Sequence, residues 1–327
     1  MSRLLRTGII SAGLEPPIPT FFNFSVNTAN AGSASDTIIL PFTADQDLTI
    51  EWDTIGDPGV TEDITAAAQA THVFPGGAGT YFISIKQTNN GKVKFLKFNN
   101  GGDKAKLLDI SSWDALDITE SIAFRGCTSL TVSATNLPLI TTLSVQNMFR
   151  DCTSLISVPL FDMSLVNTIT NMFHSCVNLT SVPLFDLSSV TSSLSVFNGC
   201  TSLVSVPLFD LSSSITTSQM FFGCTDLTSV PSFNLMLVTN TSSMFSACTS
   251  LTTIGFTRAD SMTNGTNMFL NVTLDTADWS DFLDGLSNNN LNNGVTIDGG
   301  NSLRNALGDT AFDELVGRSW IVQDGTP

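Results

Sequence analysis

The chain of 327 residues is long enough for two or three domains with real cores. Hydrophobic residues make up 42% of it and charged residues only 13%, so Ser, Thr, Asn and Gly supply much of the polarity, a balance that favours strands and turns. The formal charge of −16 argues against a nucleic-acid partner, which requires a concentrated basic stripe. The lysines between residues 86 and 106 alternate with apolar residues, which predicts a solvated strand face. No stretch approaches the roughly 20 apolar residues of a membrane span.

Residues 1–19 are predicted to be an N-terminal anchor arm rather than a domain, because they combine two glycines with three prolines. The apolar run after Arg6 is too short for a signal peptide and soon meets Glu15 and Pro16. We expect the arm to insert into a larger assembly of other proteins. Its predicted contacts are Arg3, Leu4, Leu5, Arg6, Ile9 and Ile10.

Residues 20–102 are predicted to form a separate β-sandwich. Runs such as "DTIILPF" and "GTYFISI" are rich in β-branched and aromatic residues and are separated by Gly, Asn, Asp and Pro turns. "LTIEWD" followed by "ATHVFPGGAGTYFISI" resembles PKD-type immunoglobulin-like domains. The chain departs from that pattern in the altered turn "WDTIGDPG" and in Phe74, which stands where the family has tyrosine.

A repeat of about 24 residues dominates the rest of the chain. Its cysteines stand at 127, 152, 176, 200, 224 and 248, with a phenylalanine three residues before and a leucine three residues after each one. The phenylalanine recurs once more at Phe269, where Val272 replaces the cysteine. A fixed period between 20 and 29 residues is typical of a solenoid, in which each unit buries its apolar face against its neighbours.

Each unit is predicted to contain a short strand and a return path. Alternation in Leu179, Val182 and Leu184 predicts a strand with these three side chains inward. On the return path, Met172, Phe173 and Cys176 have helical spacing, which predicts a single helical turn. Equivalent residues recur in the neighbouring units.

The repeats resemble the BspA-like leucine-rich repeats of bacterial surface proteins, whose units look like "MFxxCxSLxSxPxFDxSxVTxxxxMF". The resemblance covers about residues 124–270, and the first and last units depart from it because both lack the Pro-x-Phe-Asp sequence. We expect a β-rich multidomain protein: the sandwich, a leucine-rich-repeat solenoid over 103–270 and a small α/β C-terminal cap over 271–327. In the cap, "TADWSDFLDGL" predicts an amphipathic helix with Trp279, Phe282, Leu283 and Leu286 on one side.

The cysteine column has three possible roles: a disulfide ladder, a metal site or a buried core column. In-register rungs hold neighbouring Cα atoms close enough for a disulfide, but parallel Cβ vectors give poor geometry for the bond. Metal binding requires convergent pairs such as C-x-x-C, which the sequence lacks. The sequence therefore favours buried free thiols.

Two surface columns are candidates for recognition or ion binding. The first column contains four prolines, each followed two residues later by a phenylalanine. Strand alternation would expose this column as an apolar stripe, unless the chain turns at each proline and folds the phenylalanine rings into the core. The column consists of Pro159, Phe161, Pro183, Phe185, Pro207, Phe209, Pro231 and Phe233. The second consists of Asp162, Asp186 and Asp210, which could bridge calcium but more often bond backbone amides in a turn. We expect no obligatory cofactor.

The sequence favours recognition over catalysis. His72 and His174 belong to no recognisable catalytic motif, and the repeats lack the clustered carboxylates of solenoid glycosidases. We therefore expect a non-enzymatic, homo-oligomeric bacteriophage fibre, spike or decoration protein at the virion surface. Residues 1–19 would bind other virion proteins and the solenoid a host surface protein or glycan. The alternative is a bacterial cell-surface adhesin of the BspA-like family.

Overall fold

The computed structural model describes residues 21–42, 47–56, 58–65, 69–88, 93–94, 97–99, 102–119, 121–255 and 259–325. The predicted anchor residues Arg3 to Ile10 lie outside these ranges. The described chain is mostly β, with two α-helices, α1 (Thr276–Asn289) and α2 (Ala306–Gly317). A short 3-10 helix spans Lys104–Lys106. The strands are β1 (Phe22–Asn27), β2 (Thr37–Pro41), β3 (Leu48–Glu51), β4 (Thr61–Ile64), β5 (Gln69–Val73), β6 (Thr80–Gln87), β7 (Val93–Lys94), β8 (Leu107–Ser112), β9 (Leu116–Ile118), β10 (Thr131–Val132), β11 (Leu139–Ile140), β12 (Ser229–Val230), β13 (Thr253–Ile254), β14 (Thr296–Asp298) and β15 (Ile321–Gln323).

The N-terminal part is built on a six-stranded sheet with the order β10-β8-β1-β6-β3-β4 and a two-stranded sheet of β2 and β5. In β1, Phe22, Phe24 and Val26 are buried because alternate side chains of a strand point to the same face. Strands β1 and β6 pair antiparallel from Phe22 opposite Ile85 to Asn27 opposite Thr80. This part of the chain is β-rich as expected, and its kinship with PKD or immunoglobulin domains stays a prediction.

Strand β8 belongs to the N-terminal sheet and to the repeats at once. It pairs antiparallel with β1 on one side and parallel with β10, from the first cysteine-containing unit, on the other. The sheet therefore continues past residue 102, where the sequence suggested a domain boundary. Since β8 occupies the edge of the first unit, it also supplies backbone partners that would otherwise be missing there.

The expected solvated lysine face does not include Lys106, which is fully buried. Its Nζ donates to the carbonyls of Ala34 and Thr37 at 2.8 and 2.7 Å, and lies 3.6 Å from the carboxylate of Asp103, itself fully buried. That carboxylate accepts the backbone N–H of Ile39 at 2.5 Å. The pair ties the start of the repeats to the loop before β2.

The repeats stack in register in a solenoid-like arrangement. On the return path, the N–H groups of Val145, Asn147 and Phe149 donate to carbonyls 23 residues further on, at 2.9 to 3.1 Å. On the opposite side, Thr180 donates to Ile156 at 3.1 Å, and equivalent bonds recur in later units. The middle units make too few of these bonds to form regular strands, so the predicted strand persists only as two-residue segments, β10 in the first cysteine-containing unit and the pair of β12 and β13 near the end of the repeats.

Equivalent side chains form continuous internal columns. Every repeat cysteine and the leucine three residues after it are fully buried, and the cysteines are free thiols. Rings of Phe124, Phe149, Phe173, Phe197, Phe221, Phe245 and Phe269 stack nearly parallel, with centroids 5.4 to 5.7 Å apart. Trp113 meets Phe124 at one end and Trp279 meets Phe269 at the other, both edge to face. The prediction of buried free thiols is confirmed.

The thiols also link neighbouring units. The Sγ atom of Cys176 donates to the carbonyl of Phe149 at 3.0 Å, and Cys200 bonds Phe173 in the same way at 3.1 Å. Burial raises the pKa of both thiols well above the usual range. These cysteines are therefore weak hydrogen-bond donors in an apolar core rather than reactive nucleophiles.

The return path is a series of tight turns, and the predicted helical turn is wrong. Asn171 and Ser175 have φ angles of 54° and 60°, in the left-handed region, and a right-handed helix cannot pass through such residues. Because of these two residues, N–H groups at alternate positions point to the next unit instead of closing helical bonds. Gly199 and Gly223 occupy the position of Ser175 in the following units.

A C-terminal cap closes the last unit. The N–H of Phe269 donates to the carbonyl of Asp298 in β14 at 3.0 Å, and β14 pairs parallel with β15. Helix α1 covers the exposed end of the core. Its buried face contains the four apolar residues that the sequence indicated: Trp279, Phe282, Leu283 and Leu286.

Candidate recognition surface

The phenylalanines of the Pro-x-Phe column, Phe161, Phe185, Phe209 and Phe233, lie in the core and are not an exposed binding face. Of the two alternatives that the sequence left open, the structure shows the one in which the chain turns at each proline and the rings fold inward. All four are at most 3% exposed. The N–H of Phe185 donates to the carbonyl of Pro183 at 3.0 Å, and the same bond joins Phe209 to Pro207 and Phe233 to Pro231. A bond between residues i and i+2 defines a γ-turn, which reverses the alternation of the strand. The turn sends each ring inward.

The same turn pushes the residue between proline and phenylalanine outward. Leu160, Leu184 and Leu208, which the sequence pattern assigned to the interior, are 50%, 58% and 56% exposed. We call these three residues the leucine column. The prolines before them, Pro159, Pro183, Pro207 and Pro231, are half-buried, and Ser232 ends the column.

Two shallow clefts border the leucine column. One encloses about 460 Å³ between the first two cysteine-containing units and is lined by Val132, Leu137, Pro159 and Leu160, among others. Leu137 is 45% exposed, so it extends the apolar surface into the first unit. The other cleft, of about 260 Å³, lies beside Leu208 and Asp210 at the far end. Together they make the surface next to the column concave at both ends.

The aspartates form a parallel column two residues further along each unit. The carboxylates of Asp162, Asp186 and Asp210 accept the backbone N–H two residues ahead at 3.0 to 3.1 Å, which makes each one an Asx-turn. Hydrogen bonds from Ser164 and Ser188 lower the pKa of Asp162 and Asp186. Among the described residues no group of three or more His, Cys, Asp or Glu side chains is arranged to hold a metal ion.

Leucine and aspartate columns together make an amphipathic ridge. The leucines offer apolar contact, and the exposed aspartates beside them accept hydrogen bonds while the Asx-turns hold them in place. Such a surface suits a partner with an apolar face flanked by hydroxyl, amide or basic donors. We call the two columns the Leu–Asp ridge. The sequence signal that locates it is the proline, whose γ-turn shifts the exposed position by one residue.

His72 lies in an aromatic cluster of the N-terminal part. Its ring stacks on Trp52 at 4.5 Å and meets Phe74 edge to face at 4.7 Å. Glu62 accepts the indole N–H of Trp52 at 2.7 Å, and its carboxylate lies 4.0 Å from Nδ1 of His72. Burial lowers the pKa of His72. A cleft of about 340 Å³ opens beside these rings.

Neither α1 nor α2 has the length and apolar composition needed to cross a membrane, and no other α-helix occurs in the described part of the chain. No curated protein matches the chain. The family model described as "Mycoplasma protein of unknown function, DUF285" matches three overlapping segments, 95–206, 143–257 and 169–282, which together span more than half of the 327 residues. The first of these matches begins at residue 95, before β8, so it includes the unit that precedes the first cysteine. The repeated match fits the repeats described above, and the chain therefore belongs to the DUF285 family of BspA-like repeat proteins.

Proposed function

We propose that the protein is a non-enzymatic recognition protein that binds its partner through the Leu–Asp ridge. The observation that carries the proposal is the alignment of three leucines, each at least half exposed, on successive units of a hydrogen-bonded stack. An exposed apolar row is costly in water unless a partner covers it. The stack holds the row in a fixed geometry, so little conformational entropy is lost on binding.

The proposed partner is a protein or glycan on a cell surface. A glycan offers hydroxyl donors to the aspartates and apolar sugar faces to the leucines, and a protein offers an apolar patch with basic neighbours. Both fit the acidic character of the chain, whose formal charge is −16. A homo-oligomer would multiply the number of ridges and raise the avidity of a weak single contact.

Two locations are proposed for the protein. Membership of a family described from Mycoplasma favours the surface of a bacterial cell, where the protein would act as an adhesin or structural protein. The second is the surface of a bacteriophage virion, with residues 1–19 anchored in other virion proteins. Mass spectrometry of purified virions and surface labelling of intact bacteria distinguish the two locations.

The ridge is tested by binding of the fluorescently labelled protein to intact host cells. Leu184→Asp places a charge in the middle of the leucine column and should weaken binding about tenfold or more, since burying one leucine contributes roughly 1.5–3 kcal/mol. Gln146→Asp is the matched control, because Gln146 is exposed on the return path and the substitution adds the same charge. Equal binding by both variants would refute the ridge as the contact surface.

A further inference from the structure

The start of the repeats carries a cluster of basic side chains in an otherwise acidic molecule. Arg150 is the single basic residue between Cys127 and Cys248 in the sequence, apart from His174. Backbone bonds place these residues in one column: Gly126 donates to the carbonyl of Arg150 at 2.7 Å, and Asp151 to that of His174 at 2.8 Å. Arg125, the residue before Gly126, therefore precedes Arg150 in the same column.

The two guanidinium groups of this column have unused hydrogen-bonding capacity. The Nε atoms of Arg125 and Arg150 are buried and have no hydrogen-bond partner. The carboxylate of Asp151 lies 3.6 Å from Nε of Arg150, beyond hydrogen-bond distance. A buried donor without a partner costs free energy, and native proteins rarely keep one without a reason. The side chain of Arg150 is 30% exposed, so a ligand can reach it from solvent.

His174 completes the cluster and is oriented by its neighbour. Its Nδ1 lies 2.9 Å from the hydroxyl of Ser175, so Nε2 is the ring nitrogen that it can offer to a ligand. Burial, and then the charge of Arg150, lower the pKa of His174, while Asp151 partly opposes this shift and Arg125 adds to it. Asp151 supplies one negative charge against the two guanidinium groups of the column, so these three side chains together carry a net positive charge even when the imidazole is neutral.

We propose that Arg125, Arg150 and His174 bind an oxyanion, the carboxylate or phosphate group of an acidic carbohydrate. Guanidinium groups present a planar array of donors that matches carboxylate and phosphate oxygens, and the side chains of Arg125, Arg150 and His174 are all partly exposed. The choice of a carbohydrate rests on the proposed function, in which the partner lies on a cell surface. The site adds a polar contact that the Leu–Asp ridge lacks.

The test follows the imidazole C–H signals by NMR, because the chain has only two histidines. Glucuronate, glucose 6-phosphate and neutral glucose are titrated separately at constant ionic strength and pH. We expect saturable shifts of the His174 signal with the carboxylate or the phosphate sugar, none with glucose, and none at His72. A bound anion offsets the repulsion from Arg150, so it should also raise the pKa of His174. Absence of a saturable shift at His174, or equal shifts at His72, would overturn the proposal.

Variants identify the groups that hold the anion. Arg125→Gln and Arg150→Gln should each weaken binding at least about tenfold, and Arg150→Lys, which keeps the charge but loses the planar donors, should weaken it less. Lys86→Gln, which removes one positive charge from β6, is the matched control and should bind as the unchanged protein does. Anion binding that survives both arginine substitutions would refute the site.

The two proposals can fail separately. If acidic sugars bind at His174 but the labelled protein does not bind cells, the proposed function fails and the anion site stands. If the protein binds cells, loses binding in Leu184→Asp and keeps it in Arg150→Gln, the ridge stands and the carbohydrate role of the anion site is wrong.

Discussion

Adjacent residues Leu184 and Phe185 should differ sharply in their contribution to stability. Phe185 is 3% exposed, and its ring lies 6.0, 6.3 and 6.5 Å from the rings of Phe161, Phe173 and Phe209. Phe185→Ala removes these contacts and leaves a cavity, which costs about 3–5 kcal/mol. Leu184→Ala changes a side chain that is 58% exposed and should alter stability by about 0.5 kcal/mol or less. The ratio of folded to unfolded protein should therefore differ by about seventyfold or more between the variants.

Urea unfolding followed by two probes measures this difference. The four tryptophans stand at 52, 113, 279 and 320, outside the run of stacked phenylalanines, so their fluorescence reports on the parts of the chain before and after the stack while circular dichroism reports on the whole chain. Coincident transitions would justify a two-state free energy for each variant, which repeat proteins do not always permit. Equal destabilisation by Leu184→Ala and Phe185→Ala would refute the γ-turn as the cause of their opposite burial.

Three further predictions concern the core. Lys106→Met should destabilise the protein by about 3–5 kcal/mol in the same urea assay, because it leaves the fully buried carboxylate of Asp103 without its cation; an unchanged midpoint would contradict this. Ala247→Gly should raise the free energy of unfolding by up to about 1 kcal/mol, because Ala247 has a φ of 62° that glycine adopts without strain, and a lowered urea midpoint would show that the turn tolerates alanine. The folded protein should leave a thiol reagent unconsumed at pH 8, whereas the unfolded chain should consume one equivalent for each of its 6 cysteines; rapid labelling of the native protein would mean that the column opens.

The internal columns could be predicted because equal spacing along the chain places equal residues on equal positions of every unit. Phe173, Cys176 and Leu179 are buried as the register required. The C-terminal helix could also be predicted from the sequence, since Trp279 and Leu286 share one face at helical spacing. In these cases a single periodic signal decides the structure.

The errors share a different cause, which is the backbone conformation of single residues. Met172 and Phe173 have helical spacing, but the left-handed Asn171 just before them prevents a helix. Strand alternation predicts Leu184 inward, but the γ-turn that begins at Pro183 turns it outward. Both signals were present in the residue types, since asparagine tolerates positive φ and proline favours turns. A period measured over 24 residues averages over such single positions.

The recognition surface and the basic column were missed for related reasons. Leu184 looked like a core residue because strand alternation was extended past Pro183, although a turn at the proline was one of the two alternatives considered. Arg125, Arg150 and His174 each stand two residues before a repeat cysteine, so the register aligned them, but nothing in the sequence indicated that the Nε atoms of the two arginines lack partners. The backbone bonds between units agree with this alignment.

The edge-on tryptophans at both ends of the phenylalanine stack have an evolutionary consequence. Trp113 and Trp279 each meet a terminal ring in a T-shaped contact, whereas each interior ring of the column, such as Phe173, stacks on the equivalent rings of the two neighbouring units. Duplication or loss of one 24-residue segment would therefore create no contact of a new kind at either terminus. The length of the repeat region can therefore change by whole 24-residue units through duplication or loss in the gene, while the structures that close its two ends stay unchanged.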